Sequence, residues 1–200
     1  MLVYNSRLFG TPILSVQAGG AIATVTAPIV NPDNLQIIAL QLEGPVINSN
    51  NYILDTASVR EYSHLGMVID DADELVGPED VVKIKDILAL NFNLIGLKVE
   101  TKKGSKLGKV IDFSFTPEDF TIQQIIVKRP VVKSFVDPEL VIHRREIVEI
   151  TDYKIVVKDE EKVLKARAEK EDFVPNFVNP FREQPGFAPA DTKTPADKDS

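Results

Sequence analysis

Cysteine is absent from this 200-residue chain, and histidine occurs only twice. Without cysteine there is no disulfide framework, no thiolate metal site and no thiol nucleophile, so sulfur-based redox chemistry is excluded. Two histidines do not complete a structural zinc site unless carboxylates join them. His64 falls in Ser63-His64-Leu65-Gly66, which reads as a hairpin turn, and His143 stands just before Arg144-Arg145. These are unlike places, which argues against a histidine dyad. The phosphate-binding patterns Gly-x-x-x-x-Gly-Lys-Ser/Thr and Gly-x-Gly-x-x-Gly are missing, as is the Gly-x-Ser-x-Gly elbow of α/β-hydrolases. Asp70-Asp71-Ala72-Asp73-Glu74 resembles a calcium loop in charge alone, because the glycine and the terminal glutamate at the required offsets are lacking. It reads as a solvated acidic loop. Long apolar runs are lacking too. The stretch from Leu8 to Asn31 is interrupted by Gly10, Pro12, Gln17, Gly19, Gly20 and Pro28, so no membrane helix is expected there. The opening MLVYNSRLFG has none of the features of a secretory signal, and the cytoplasm is the expected location.

What is present is enough apolar content, 44%, to build one large domain or two small ones. The net charge of −7 is unevenly spread. Residues 1–86 carry 4 Lys/Arg against 11 Asp/Glu, residues 87–165 carry 14 against 12, and residues 166–200 carry 5 against 7. An acidic first half beside a slightly basic second half is able to orient a polar partner, and is equally consistent with unrelated surface choices.

The chain also repeats itself. Leu8-Phe9-Gly10 returns as Leu94-Ile95-Gly96, Ile22 and Val25 as Leu107 and Val110, and Asn31-Pro32-Asp33-Asn34 as Thr116-Pro117-Glu118-Asp119. Further on, NYILDTASVREYSHLGMVID lies without a gap on ELVIHRREIVEITDYKIVVK, setting Leu54 on Ile142 and Met67-Val68-Ile69 on Ile155-Val156-Val157. Chemical type is kept more than identity, as when one set of core positions is filled twice. Within a unit, Ile111, Phe113 and Phe115 alternate with Val110, Asp112 and Ser114 before β-branched Ile122 to Val127, the pattern of short strands. Proline at the second position of NPDN and TPED fits a type I turn, so both read as hairpin connectors rather than as paired catalytic carboxylates.

These signals predict a mainly all-β protein of two small antiparallel barrels: residues 1–77, a linking helix over 78–90, a second barrel over 91–165, and a charged, largely disordered tail over 166–200. The helix is read from Gly77-Pro78-Glu79-Asp80 followed by Val81, Val82, Ile84, Ile87 and Leu88. The tail is rich in proline and charge but carries Phe173, Phe177, Phe181 and Phe187. These rings either dock on a partner or pack back onto a barrel. Asn179-Pro180-Phe181 also matches a peptide-recognition tripeptide, but three residues match by chance too easily for it to count.

The glycine-led strand LGKVIDFSFTPED, the aliphatic IQQIIVK and the late LVIHRREIVEITDYKIVV together resemble the PRC-barrel family. Ile142-His143, Ile147, Ile150 and Ile155-Val156-Val157 match that family's final segment. The first copy departs from the pattern, with Ala23 in place of Gly108 and Ala27 in place of Asp112. The resemblance covers about residues 1–165 and implies small β-barrels used for protein contact, as in a photosynthetic reaction-centre subunit and a ribosome-maturation factor. It carries no reactive residues. A non-enzymatic adaptor with a protein partner is therefore expected, with no catalytic, metal-binding or cofactor-binding residue. The alternative is an RNA- or ribosome-associated assembly factor using the basic cluster Lys98, Lys102, Lys103, Lys106 and Lys109. Lys128, Arg129, Lys133, Arg144 and Arg145 lie elsewhere in the same unit, and acids interleave with these cations. Candidate partner contacts are those five lysines with Phe173, Phe177 and Phe181.

Overall fold

Alternating apolar residues give strands, and strands dominate the structure, a computed structural model that describes residues 1–44, 52–77, 82–90, 92–130 and 138–159. Strand β1 (Val3–Tyr4) opens the chain. In the first half, β2 (Pro12–Ser15), β3 (Gly20–Asn31), β4 (Gln36–Glu43) and β5 (Tyr52–Asp55) pair antiparallel in that order. A 3-10 turn at Thr56–Ser58 leads to the hairpin of β6 (Glu61–Ser63) and β7 (Gly66–Ile69), and β7 returns parallel to β2. A second 3-10 turn precedes β8 (Leu75–Val76), which pairs with β5. After α1 (Val82–Ala89) the second half repeats the scheme. Strands β9 (Lys98–Thr101), β10 (Lys106–Thr116), β11 (Thr121–Lys128) and β12 (Glu139–His143) pair antiparallel in order. A 3-10 turn at Arg144–Glu146 leads to the hairpin of β13 (Ile147–Ile150) and β14 (Lys154–Val157), and β14 returns parallel to β9.

The irregularities repeat as well. The ladder slips between Val25 and Ala27 and between Ile29 and Val30 in β3, and between Val110 and Asp112 and between Ser114 and Phe115 in β10. Bulges bend a strand and raise its twist. That lets β3 lie against β2 at its start and β4 along the rest, and lets β10 do the same between β9 and β11. The bulges also correct the simple alternation expected along β10. Val110 is buried and Ile111 is 39% exposed, so the phase reverses before Phe113 and Phe115, both in the core.

The two halves meet at their proline turns. Leu35 and Phe120, at the ends of NPDNL and TPEDF, both take left-handed backbone, with φ of 52° and 54°. That conformation costs about 1–3 kcal/mol for a side chain other than glycine. Here it lets the turns exchange backbone bonds. The Ile37 N–H donates to the Phe120 carbonyl at 2.9 Å and the Ile122 N–H to the Leu35 carbonyl at 2.8 Å, with Gln36 opposite Thr121. Such reciprocity is the signature of a two-fold contact, formed here within one chain. β1 also crosses to the other half, pairing Val3 with Phe115.

This junction changes the picture of separate closed rolls. Among the described residues the strands form one 14-stranded sheet, joined through β4 and β11, in which ten strands follow one open path and β1, β5, β8 and β12 branch from it. The cores are likewise merged: Leu8, Ile13, Ile37 and Leu54 of the first half form one buried cluster with Leu94, Phe113, Ile122 and Ile142 of the second. The large side chains Leu35 and Phe120 fill the seam, where Phe120 stacks on Phe115 with centroids 5.7 Å apart. A smaller cluster lies under α1, where Ile84 packs with Ile29, Ala39 and Ile53.

The departures between copies have local causes. A Cβ on Gly108 would lie 1.9 Å from the Lys128 carbonyl oxygen, and its φ of 147° favours glycine. In the first half the crowding is relieved from the opposite strand. There Ala23 keeps its Cβ, and Gly44, following β4, is the residue whose Cβ would meet the Ile22 carbonyl at 2.8 Å. Asp112, where the first copy has Ala27, accepts from the backbone N–H groups of Phe113 at 2.8 Å and Ser6 at 3.3 Å, tying the start of the first half to the second.

Candidate functional site

Three recesses flank the seam. Two are counterparts under exchange of the halves. Thr56, Val59, Glu118 and Phe120 line the first, of about 630 Å³. Arg144, Ile147, Asp33 and Leu35, their equivalents, line the second, of about 480 Å³. The first recess also receives Asp55, Asp119 and Asp86, and among the described residues no lysine or arginine lines it. The third, of about 620 Å³, has no charged side chain among the described residues that line it: Phe9, Pro28, Phe92, Ile95 and Ile111 supply its apolar surface. Phe9 is 57% exposed and Ile111 39%, although each is large and apolar. A groove of this kind suits an apolar segment of another molecule.

Strand register divides the predicted lysine cluster. Lys98 and Lys109 lie opposite one another on β9 and β10, with Lys128 opposite Lys109 on β11 and Lys154 opposite Lys98 on β14. Four cations thus form one row across four neighbouring strands. Like charges placed directly opposite oppose pairing. Lys154 is ion-paired with Glu100, whose hydrogen bond and then charge raise its pKa above the usual lysine value. Lys98, Lys109 and Lys128 are exposed and form no ion pair among the described residues. Lys102, Lys103 and Lys106 stand apart from the row. The first two are exposed in the turn after β9, where Lys103 lies 3.5 Å from Asp159, and Lys106 sits opposite Glu100. Phe173, Phe177 and Phe181 lie outside the described residues.

Several of the remaining titratable residues serve local structure. His143 caps the 3-10 turn after β12, its Nδ1 accepting from the Arg145 N–H at 3.2 Å while Glu146 accepts from the His143 N–H at 3.1 Å. In the first half Asp55 holds that place, accepting from the Ala57 N–H at 2.9 Å. His64 lies in the β6–β7 turn. In the acidic loop, Asp71 accepts from the Asp73 N–H at 2.6 Å, Glu74 from the Asp70 N–H at 3.0 Å, and Asp70 pairs with Arg60. At the turn, Asp119 accepts from the N–H and hydroxyl of Thr121, so its carboxylate is engaged in hairpin geometry.

The groove at Phe9 and Ile111 was not foreseen from sequence, because the alternation along β10 placed Ile111 inside. Of the lysine row, Lys154 was missed. No protein-family model matches the chain, and no curated protein matches it. Among the described residues no helix is long and apolar enough to cross a membrane, and no group of three or more His, Asp or Glu is placed to hold a metal ion.

Proposed function

We propose that this chain is a non-enzymatic interaction protein built from two PRC-type barrel units, which grips a protein partner at the seam between them. The observation that carries the reading is the uncharged groove with exposed Phe9 and Ile111, contributed by both halves of a chain in which 26% of residues are charged. Solvated apolar side chains of this size gain free energy when a partner covers them. Affinity capture with the full chain and with its F9D/I111D variant tests the reading. A specific protein is expected to bind the wild type and to bind the variant at least ~10-fold more weakly when both are purified. Equal affinity for the variant, or no specific protein with either chain alongside turnover of a metabolite, would overturn it.

The lysine row favours a second reading, contact with RNA phosphates, because a bound polyanion would relieve the repulsion along Lys98, Lys109 and Lys128. Affinity should then fall steeply with salt, by roughly 0.7 in the log–log slope for each single-strand phosphate contacted, and K98E/K109E should flatten that slope. Salt-independent binding, or binding untouched by these substitutions, removes this reading.

A further inference from the structure

We infer that the outer edge of β12 is a docking surface for the chain's own residues 160–164, which lie outside the described residues. The inference is independent of the partner proposed above. In the first half, β5 is paired on both sides: with β4, and with β8 through Ile53 opposite Val76 and Leu54 opposite Leu75. Its counterpart β12 pairs, among the described residues, with β11 alone. An open strand edge is a template for another strand.

The chain that follows β14 carries the matching pattern. The frame that sets Met67-Val68-Ile69 on Ile155-Val156-Val157 continues without a gap, placing Asp70 to Val76, DDADELV, on Lys158 to Leu164, KDEEKVL. Asp71 falls on Asp159, and Leu75-Val76 on Val163-Leu164. The two exits from the sheet are also alike: the Val16 N–H donates to the Ile69 carbonyl and the Lys102 N–H to the Val157 carbonyl, both at 3.0 Å.

A second, independent sign is a polar atom without a partner. In the first half the Asp71 carboxylate accepts from the Asp73 N–H and so starts the turn that delivers β8. At the equivalent place the Asp159 Oδ1 is buried and accepts no hydrogen bond among the described residues, although Oδ2 faces Lys103. A buried carboxylate oxygen left unpaired is costly, and in the aligned sequence Glu161 takes the place of Asp73, whose N–H is the donor in the first half. Val163 would then lie opposite Ile142 and Leu164 opposite Val141. Leu54 and Ile142, the core residues at the two edges, are both fully buried, so the same apolar pairing suits both. Because the segment is tethered, its effective concentration at the edge exceeds that of a free competitor.

Nuclear magnetic resonance of the full-length protein tests this directly. Cross-strand Overhauser contacts are expected between Val141 or Ile142 and Val163 or Leu164, with slow exchange of the β12 amides that do not bond β11. In V163D those amides should exchange at least ~10-fold faster, while β4 amides keep their rates. If V163D fails to fold, the wild-type contacts alone decide. Absence of those contacts, fast exchange of the outer β12 amides in the wild type, or protection that develops only as protein concentration rises or another protein is added would overturn the inference. The last result would assign the edge to a second chain.

Discussion

At the scale of single residues, Gly108 separates space from sequence type. Adding a methyl group there drives it into the Lys128 carbonyl on backbone that disfavours any side chain, so Gly108→Ala should cost about 2–4 kcal/mol. Ala23→Gly, at the equivalent position, should cost only about 1 kcal/mol, the penalty of glycine's backbone freedom within a strand. Urea denaturation of the two variants measures both. The sequence made the glycine visible but not its compensation, since crowding between strands depends on register. Tyr62 yields a prediction in pH. Burial raises its phenol above the usual 10.0, with the nearby Arg7 charge partly opposing. The unfolded chain therefore releases this proton first as pH rises. The contribution to stability is whole below about pH 10 and declines through the interval above it. Tyr62→Phe keeps the ring packed edge-on against Phe115 and should show a shallower loss of stability between pH 9 and 11 than the wild type, on the order of that one group's titration.

Elements show why the repeat was legible and the architecture only partly so. Strand existence and the hairpin turns follow from aliphatic spacing and from Pro32 and Pro117, which the chain itself carries. Bulges leave no mark in apolar alternation, and they decided that Ile111 faces outward. The 3-10 turns after β5 and β12 are equivalent in place but differ in chemistry, Asp55 capping one and His143 the other, so a comparison by residue type passes over them. Asp55→Ala should cost about 1 kcal/mol through loss of the bond from Ala57, while Asp55→Asn keeps an acceptor and should stay within about 0.5 kcal/mol of wild type. Thermal denaturation of this pair reports the difference.

For the whole molecule, the decisive feature is the seam. Nothing in NPDN or TPED announces that two hairpin ends will bond to each other, because the groups involved are backbone N–H and carbonyl groups common to every sequence. Their exchange, together with Leu35, Phe120 and the crossing of β1, joins two copies of one strand scheme around a continuous core. It also brings together the groove at Phe9 and Ile111, whose described lining comes from both copies. Scanning calorimetry of the full chain and of Phe120→Ala tests this most directly. The account expects one transition whose calorimetric and van't Hoff enthalpies agree, displaced as a whole in the variant by a loss of about 3–5 kcal/mol. Two separable transitions, only one of them moved by the substitution, would contradict it.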